Sequence, residues 1–205
     1  MDASTLKNYP WSHWVIDNFL DKEDFNIIQK EALDILDTID VTNSPSPIEK
    51  NHGIYIVRKG NDNNWREIAK KYESKLIKFK DAGVPIRKYE KLIFKSNITF
   101  AAPGANYPCH YEVPNKIFIT STYLYPDVSA GTKLYIKDKS YFAPLHTKTV
   151  DWKPNRSFCF LPQDDITWHS FDNNFCKTRI VLLMGFADSK KTRERAYKET
   201  DKKNR

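Results

Sequence analysis

The sequence is poor in cysteine and has no long apolar run, no internal repeat and no low-complexity segment. Its three cysteines, Cys109, Cys159 and Cys176, are odd in number and widely spaced, which excludes a disulfide framework and a zinc-knuckle pattern. No stretch approaches the roughly 18 consecutive apolar residues that a transmembrane helix needs. Residues 1–14 also lack the basic-then-apolar pattern of a secretion signal. These absences predict a cytoplasmic protein without membrane contact.

The 205-residue chain is 40% apolar and 14% aromatic, a composition that argues against disorder and for one folded domain. We expect that domain to span residues 1–188, with a helical part at about 1–85 and a second part at about 86–188. Of the net charge of +7, +5 lies in residues 189–205, which hold eight basic and three acidic side chains. This basic tail is typical of a solvated terminus, and the alternative is a tether to nucleic acid.

The helical part begins with a strand-like segment over 9–20, and Asp21 is placed to cap a helix over 22–37. Apolar residues at helical spacing predict a second helix over 63–82. A short strand is predicted over 53–58.

After Pro85 the pattern changes to short segments rich in β-branched and aromatic residues, separated by Gly, Pro, Asn and Asp. The predicted strands cover 86–101, 105–112, 116–125, 132–136, 145–151, 156–161, 166–171 and 178–186. Strands at this spacing are typical of a sandwich, barrel or jelly roll. Helices followed by strands predict an α+β fold with the helices packed on the outside of one sheet.

One group of residues indicates chemistry. His110 and Glu112 are two positions apart, so in extended backbone their side chains point to the same side. A second histidine, His169, follows 59 residues later in another strand-like segment. Two histidines and one carboxylate with open positions left over are the ligands of a non-haem Fe(II) oxygenase. Arg179 opens an otherwise apolar strand, where a buried guanidinium needs an anion such as the far carboxylate of a dicarboxylic co-substrate.

Each of these residues also has a simpler interpretation. A His-x-Glu pair occurs often by chance, His169 alone could be a hydrogen-bonded core histidine, and Arg179 could begin an edge strand with its head in water. It is their ordered combination in a β-rich half that favours a site. His52 and His146 lack a nearby carboxylate and are predicted to lie at the surface, although His146 could line a pocket mouth.

This pattern resembles the 2-oxoglutarate- and Fe(II)-dependent oxygenases, and among them the prolyl-4-hydroxylase-like branch. The family shows a His-x-Asp/Glu pair, a distal His and an Arg or Lys about ten residues further on. Flanking segments are similar too, and they cover residues 14–20, 102–107, 121–126, 130–135 and 153–160. The resemblance implies a double-stranded β-helix, or jelly roll, with the N-terminal helices packed on one sheet.

The resemblance also implies a reaction and the residues that serve it. His110, Glu112 and His169 correspond to the Fe(II) ligands, and Arg179, Tyr123 and Tyr107 to 2-oxoglutarate and pocket contacts. The implied cofactors are Fe(II), 2-oxoglutarate and O2, with ascorbate as a further candidate. The implied reaction is hydroxylation of an organic substrate. The first candidate for that substrate is a prolyl residue or related amino acid, either in a peptide or as a small molecule.

The sequence departs from the family pattern at two positions. Glu112 stands where Asp is usual, and Ala102 replaces a tyrosine that often precedes the Pro-Gly turn. We expect five aromatic residues to line a dry site: Tyr107, Tyr111, Phe118, Tyr135 and Trp168. Two alternatives stay open, a non-catalytic cupin-like β-sandwich that binds a metal or ligand, and a nucleic-acid-associated protein acting through the basic tail.

Overall fold

The computed structural model describes residues 6–41, 53–57, 64–82, 91–137 and 143–188. Within these ranges the chain forms three helices and eleven strands. The helices are α1 (Lys22–Leu36), α2 (Asn64–Lys71) and α3 (Glu73–Ala82). The strands are β1 (Leu6–Lys7), β2 (His13–Ile16), β3 (Ile54–Val57), β4 (Leu92–Ala101), β5 (Asn106–His110), β6 (Lys116–Tyr125), β7 (Thr132–Ile136), β8 (Leu145–Val150), β9 (Ser157–Phe160), β10 (His169–Asp172) and β11 (Arg179–Asp188). None of the described helices is long and apolar enough to cross a membrane.

Helix α1 forms as its apolar spacing predicts, with Ile28 and Ala32 fully buried. Asp21 occupies the N-cap position, but its carboxylate makes no capping hydrogen bond, so the capping prediction was wrong in its chemistry. The Asp21 backbone N–H instead donates to the Tyr72 hydroxyl at 2.8 Å, and that hydroxyl donates to Asp24 at 2.9 Å. A residue from the junction between the two later helices thus contacts the start of α1.

The helix predicted over 63–82 is two helices that meet at Tyr72. Periodicity continues through the break because Trp65, Ile68 and Leu76 are all buried on the core side. At the break, the Tyr72 hydroxyl accepts from the Asp21 N–H and donates to the Asp24 carboxylate. This correction leaves the helical face of the domain intact.

The strands form two antiparallel sheets, a major sheet with the order β1-β2-β9-β6-β11-β4-β3 and a minor sheet with the order β5-β10-β7-β8. Of the nine pairings between the described strands, six join strands that are not consecutive in the chain, as expected when a chain winds back and forth between the two sheets of a jelly roll. The helices pack on the outer face of the major sheet, where Trp14 lies 6.1 Å from Phe79 of α3 and 6.2 Å from Phe118 of β6, measured between ring centroids.

Strand β9 shows how one strand serves two cores. All four of its residues are buried, and their side chains alternate between the faces of the major sheet. Cys159 joins the cluster under the helices, whereas Phe158 and Phe160 join a second cluster between the sheets. Burial of each phenylalanine contributes on the order of 2–3 kcal/mol.

The predicted fold class is therefore confirmed: a jelly roll with the N-terminal helices on one sheet. The division into a domain of 1–188 and a basic tail stays a prediction, because residues 189–205 lie outside the described ranges. Most of loop 41–52 and loop 137–144, and also His52, likewise fall outside the description.

Candidate metal centre and anion pocket

Strands β5 and β10 bring the two histidines together. They pair antiparallel with His110 opposite His169, and the centroids of the two imidazole rings are 4.4 Å apart. The register shifts further along this strand pair, and Tyr107, three residues before His110, packs on the His110 ring with 4.5 Å between the ring centroids. The 59-residue separation in sequence thus becomes direct contact in the minor sheet.

Both imidazoles are oriented by the same local contact. The Nδ1 atom of His110 lies 2.9 Å from the Pro108 carbonyl oxygen, and that of His169 lies 2.9 Å from the Thr167 carbonyl oxygen. A carbonyl only accepts, so Nδ1 carries a proton in each ring, and Nε2 is the ring nitrogen left to face a metal. This is the arrangement that metal-binding histidines use to fix their tautomer.

Glu112 completes the group from just beyond the end of β5. One carboxylate oxygen, Oε1, lies 3.7 Å from Nε2 of His169, and the other, Oε2, forms an ion pair with Lys116. The three potential ligand atoms of His110, Glu112 and His169 all lie within 4.8 Å of one another. Among the described residues, this is the only such group of three or more metal-binding side chains.

The charge state of the group suits a divalent cation. Burial, and secondarily the neighbouring His169, lowers the pKa of His110 to about 4, so this imidazole is neutral at pH 7. Burial alone would raise the pKa of Glu112, but the Lys116 ammonium and, secondarily, the contact with His169 lower it below its ordinary value. A neutral imidazole and an ionised carboxylate are the forms that bind metal, without prior loss of a proton.

Arg179, the first residue of β11, is 3% exposed and is enclosed by aromatic rings. Its guanidinium carbon lies 4.1 Å from the ring centroid of Phe171, 5.0 Å from that of Trp152 and 5.4 Å from that of Tyr123. Cation–π attraction of this kind is worth about 0.5–2 kcal/mol per contact. We call Arg179 and these three rings the arginine box.

The charge of Arg179 has no acidic neighbour in the arginine box. Among the described residues no carboxylate contributes to its electrostatics, where Tyr123 is the partner, and its buried Nε makes no hydrogen bond. Burial lowers the pKa of Arg179 to about 10, which still leaves it protonated at pH 7. A buried cation without a counter-ion is costly, whereas a bound carboxylate would accept two parallel N–H bonds from the guanidinium. The residues therefore fit an anionic ligand.

The two tyrosines named from the resemblance lie beside Arg179 and His110, and their roles in binding a co-substrate stay predictions. Tyr123 is fully buried and stacks on Trp152, with 4.4 Å between the centroids, and its hydroxyl is 2.7 Å from Thr132 Oγ1. Tyr107 stacks on Phe171, with 5.7 Å between the centroids. Since Tyr107 touches His110 and Phe171 touches Arg179, two stacked rings connect the metal group to the arginine box.

Of the aromatic residues predicted to line the site, Phe118 was wrongly predicted, and the others have varied contacts. Phe118 packs under the helices, Tyr111 packs on Trp168, and the Tyr135 hydroxyl bonds Ser170 at 2.7 Å. Tyr107 is the one of the five with a described ring contact to the triad. Phe160, which was not predicted, makes a second such contact, with its ring centroid 5.1 Å from that of His169.

Sequence reasoning did not identify Lys116, Trp152 and Phe171 as parts of the site. Lys116 gave one signal, its spacing of four residues from Glu112. Phe171 lies two residues after His169, which places both on one strand face. Trp152 lies in an irregular segment beside Pro154, where no periodicity predicts its direction. His146 is exposed and contacts Tyr135 and Thr149 rather than the triad.

No family model matches the sequence, and no curated protein matches it. Among solved structures, a prolyl hydroxylase of Trichoplax adhaerens in complex with a peptide fragment of the hypoxia inducible factor oxygen degradation domain aligns with a TM-score of 0.62 and 16% identity, over 87% of this chain and 84% of its own.

Two further structures have the same fold. The 2-oxoglutarate complex of a viral collagen prolyl hydroxylase from Paramecium Bursaria Chlorella virus-1 aligns with a TM-score of 0.55 and 14% identity, over 87% of this chain and 96% of its own. A Pseudomonas putida prolyl-4-hydroxylase aligns with a TM-score of 0.56 and 13% identity, over 85% and 92%. The resemblance of the motifs is thus confirmed at the level of fold: this chain has the jelly-roll fold of the prolyl hydroxylases, the branch of 2-oxoglutarate/Fe(II) oxygenases that its sequence resembles.

Proposed function

We propose that this protein is a dioxygenase that uses Fe(II) and 2-oxoglutarate to hydroxylate an organic substrate. The observation that carries the proposal is one continuous site, in which a His-Glu-His group is joined through Tyr107 and Phe171 to a buried arginine without an anion. A cation site alone would suit many metalloproteins. The addition of an enclosed guanidinium favours a co-substrate that binds metal at one end and presents a carboxylate at the other.

In this proposal each residue has a defined task. His110 Nε2, His169 Nε2 and Glu112 Oε1 hold the metal, with both imidazoles oriented by their Nδ1–H bonds to main-chain carbonyls. Arg179 binds the distal carboxylate of 2-oxoglutarate, and the surrounding rings exclude water from that ion pair. Bound Fe(II), with 2-oxoglutarate and O2, supplies the oxidising power for hydroxylation of a C–H bond, and the co-substrate leaves as succinate and CO2.

The first substrate candidate is a prolyl residue in a peptide. It is supported by fold likeness alone, since the three similar structures are prolyl hydroxylases and one of them holds a peptide. A free amino acid or another small molecule is the second candidate.

The test is succinate formation under Fe(II), 2-oxoglutarate, O2 and ascorbate, measured by NMR with and without proline-containing peptides and free proline. We expect slow succinate release without substrate, faster release with the right substrate, and a mass increase of one oxygen atom in that substrate. A metal-binding protein of cupin-like shape that performs no oxidation would release no succinate under any of these conditions. Protein with an Arg179→Ala change provides the matched blank for the co-substrate.

A further inference from the structure

The metal group has an uncommon carboxylate that needs to be held in place. Glu112 has one more methylene than the aspartate usual in such groups, and therefore one more rotatable bond to immobilise. Its side chain is only 11% exposed, and its two oxygens have different neighbours. Oε1 faces His169 Nε2 at 3.7 Å, whereas Oε2 is taken by the ammonium of Lys116.

A turn brings the lysine to this position. The Lys116 backbone N–H donates to the Val113 carbonyl at 3.1 Å, with Pro114 and Asn115 at the corner, so the chain reverses directly after Glu112. The Asn115 carbonyl accepts from the Asp188 N–H at 2.8 Å, which ties this turn to the end of β11. Lys116 thus opens β6 with its backbone anchored and its side chain directed back to the carboxylate.

We infer that Lys116 is a positioning residue for the metal ligand Glu112. By occupying Oε2, it leaves Oε1 as a single ligand atom directed at the two imidazoles, so the longer glutamate serves as a monodentate ligand in place of aspartate. The inference deepens the proposed function and rests on its metal site. On this inference the extra methylene lets the Glu112 carboxylate reach Lys116 as well as the metal, and Lys116 in turn restricts the longer side chain.

The opposite role for Lys116 is a rival cation, with an ammonium that stands where a metal would bind. The two roles predict opposite signs. If Lys116 positions the carboxylate, its removal weakens metal binding. If it competes, its removal tightens metal binding. The geometry favours positioning because the ammonium lies on Oε2, and the oxygen that faces the imidazole is Oε1.

The experiment is a titration of the purified protein with Co(II), whose visible absorption reports both the dissociation constant and the coordination geometry. The variants are Lys116→Met, Lys116→Arg and, as control, Lys153→Met, which removes another lysine–carboxylate pair, the 2.8 Å contact with Asp17. We expect Lys116→Met to weaken Co(II) binding about 10- to 100-fold, the usual effect of losing a group that orients a ligand. Its Co(II) spectrum should change, Lys116→Arg should restore most of the affinity, and Lys153→Met should match the wild type.

A second set of variants tests the matching of the pair. Glu112→Asp shortens the arm, so the carboxylate no longer reaches both the metal and Lys116. In a double-mutant cycle with Lys116→Met we expect strong coupling, with the double variant no weaker in Co(II) binding than the worse single variant. Additive losses, or a Lys116→Met protein that binds Co(II) as tightly as the wild type or more tightly, would overturn the inference.

These outcomes are separable from the fate of the proposed function. Co(II) binding requires no turnover, so a wild-type protein that binds Co(II) at His169 yet releases no succinate refutes the oxygenase and leaves the role of Lys116 standing. A His169→Ala variant locates the spectrum, because it should lose the Co(II) band. Unfolding temperatures of the metal-free variants identify any that fail to fold, and Lys116→Arg provides the milder substitution in that case.

Discussion

The two ends of the site differ in how their charges are balanced. At the metal end, the Glu112 carboxylate is balanced by Lys116 and flanked by two imidazoles held by main-chain carbonyls. At the arginine end, the guanidinium is surrounded by aromatic rings and finds no anion in the described chain. The carboxylate at the metal end therefore has a counter-ion within the chain, whereas the guanidinium at the arginine end would gain one only when an anion binds. Ligand removal and mutation should therefore affect the two ends differently.

The largest effect is expected when a metal ligand is lost. His169→Ala or His110→Ala leaves two ligand groups, and we expect metal binding to fall by more than the roughly 100-fold typical of losing an orienting contact, with succinate formation reduced to background. The measurements are Co(II) or Mn(II) titration and succinate release. His146→Ala is the matched control, because this exposed histidine lies on the same sheet and bonds Thr149. Full succinate release by either triad variant would rule out the assignment.

At the arginine end we expect a smaller loss of activity, and no loss of stability in the ligand-free protein. Arg179→Met should raise the 2-oxoglutarate concentration needed for half-maximal turnover about 10- to 100-fold, since a hydrogen-bonded ion pair is worth roughly 1.5–3 kcal/mol. The same change should leave the stability of the ligand-free protein unaltered or increased, because it removes a buried cation that lacks an anion.

Thermal unfolding separates these two effects. With Mn(II) present, 2-oxoglutarate should raise the unfolding temperature of the wild type and should do so far less for Arg179→Met, as expected when a ligand binds only the folded state. Arg179→Lys should give an intermediate result, because an ammonium keeps the charge but not the two-pronged geometry. An unchanged co-substrate requirement in Arg179→Met would mean that 2-oxoglutarate is anchored elsewhere.

The difference between the two ends also explains what the sequence could predict. The triad could be recognised from the sequence because its members follow local patterns: His110 and Glu112 are two residues apart, and His169 lies in a strand-like segment. Arg179 could be recognised from the sequence because it is the one charged residue in an apolar run. Strand β6 was predicted at its observed limits because β-branched and aromatic residues alternate between two buried faces.

The remaining features depend on contacts between distant segments. The helix break lies at Tyr72, whose hydroxyl bonds Asp21 and Asp24 more than 45 residues earlier, and periodicity alone does not indicate it. The position of Lys116 depends on a turn, and that of Trp152 on a 2.6 Å bond from its Nε1 to the Pro126 carbonyl. Residue type and spacing identify ligands, but they do not identify the residues that hold them.

The aromatic wall of the arginine box should have an intermediate effect. Trp152→Leu removes one cation–π contact and the stacking on Tyr123, so we expect the 2-oxoglutarate requirement to rise about 3- to 10-fold, in line with contacts of roughly 0.5–1.5 kcal/mol each. Trp152→Phe keeps a ring but loses the N–H bond to Pro126, and its effect should be smaller. Co(II) affinity, measured in the same proteins, should stay at the wild-type value. A Trp152→Leu protein with altered Co(II) affinity and normal co-substrate use would reverse the predicted division between the two ends.

The smallest effect concerns how the arginine end is attached to the N-terminal segment. Arg156, whose carbonyl accepts from the Tyr123 N–H at 2.9 Å, donates from Nε to Asp17 at 2.6 Å. This contact, opposed in part by burial, lowers the pKa of Asp17 to about 2 from an ordinary value of 3.8. A depressed carboxyl pKa means that the stabilisation is fully present above about pH 4 and is lost as the pH falls through about 2.

Asp17→Asn should therefore lower the free energy of unfolding at pH 7 by less than about 1 kcal/mol, because the pair is partly exposed and screened by solvent. The difference between wild type and variant should shrink as the pH falls from 4 toward 2, as measured by urea unfolding. Asp165→Asn is the control, since it removes an exposed pair with Lys137 near the metal end. If the two substitutions cost the same free energy, with the same pH dependence, the Asp17–Arg156 contact is an ordinary surface pair, and Tyr123 is held by its buried neighbours alone.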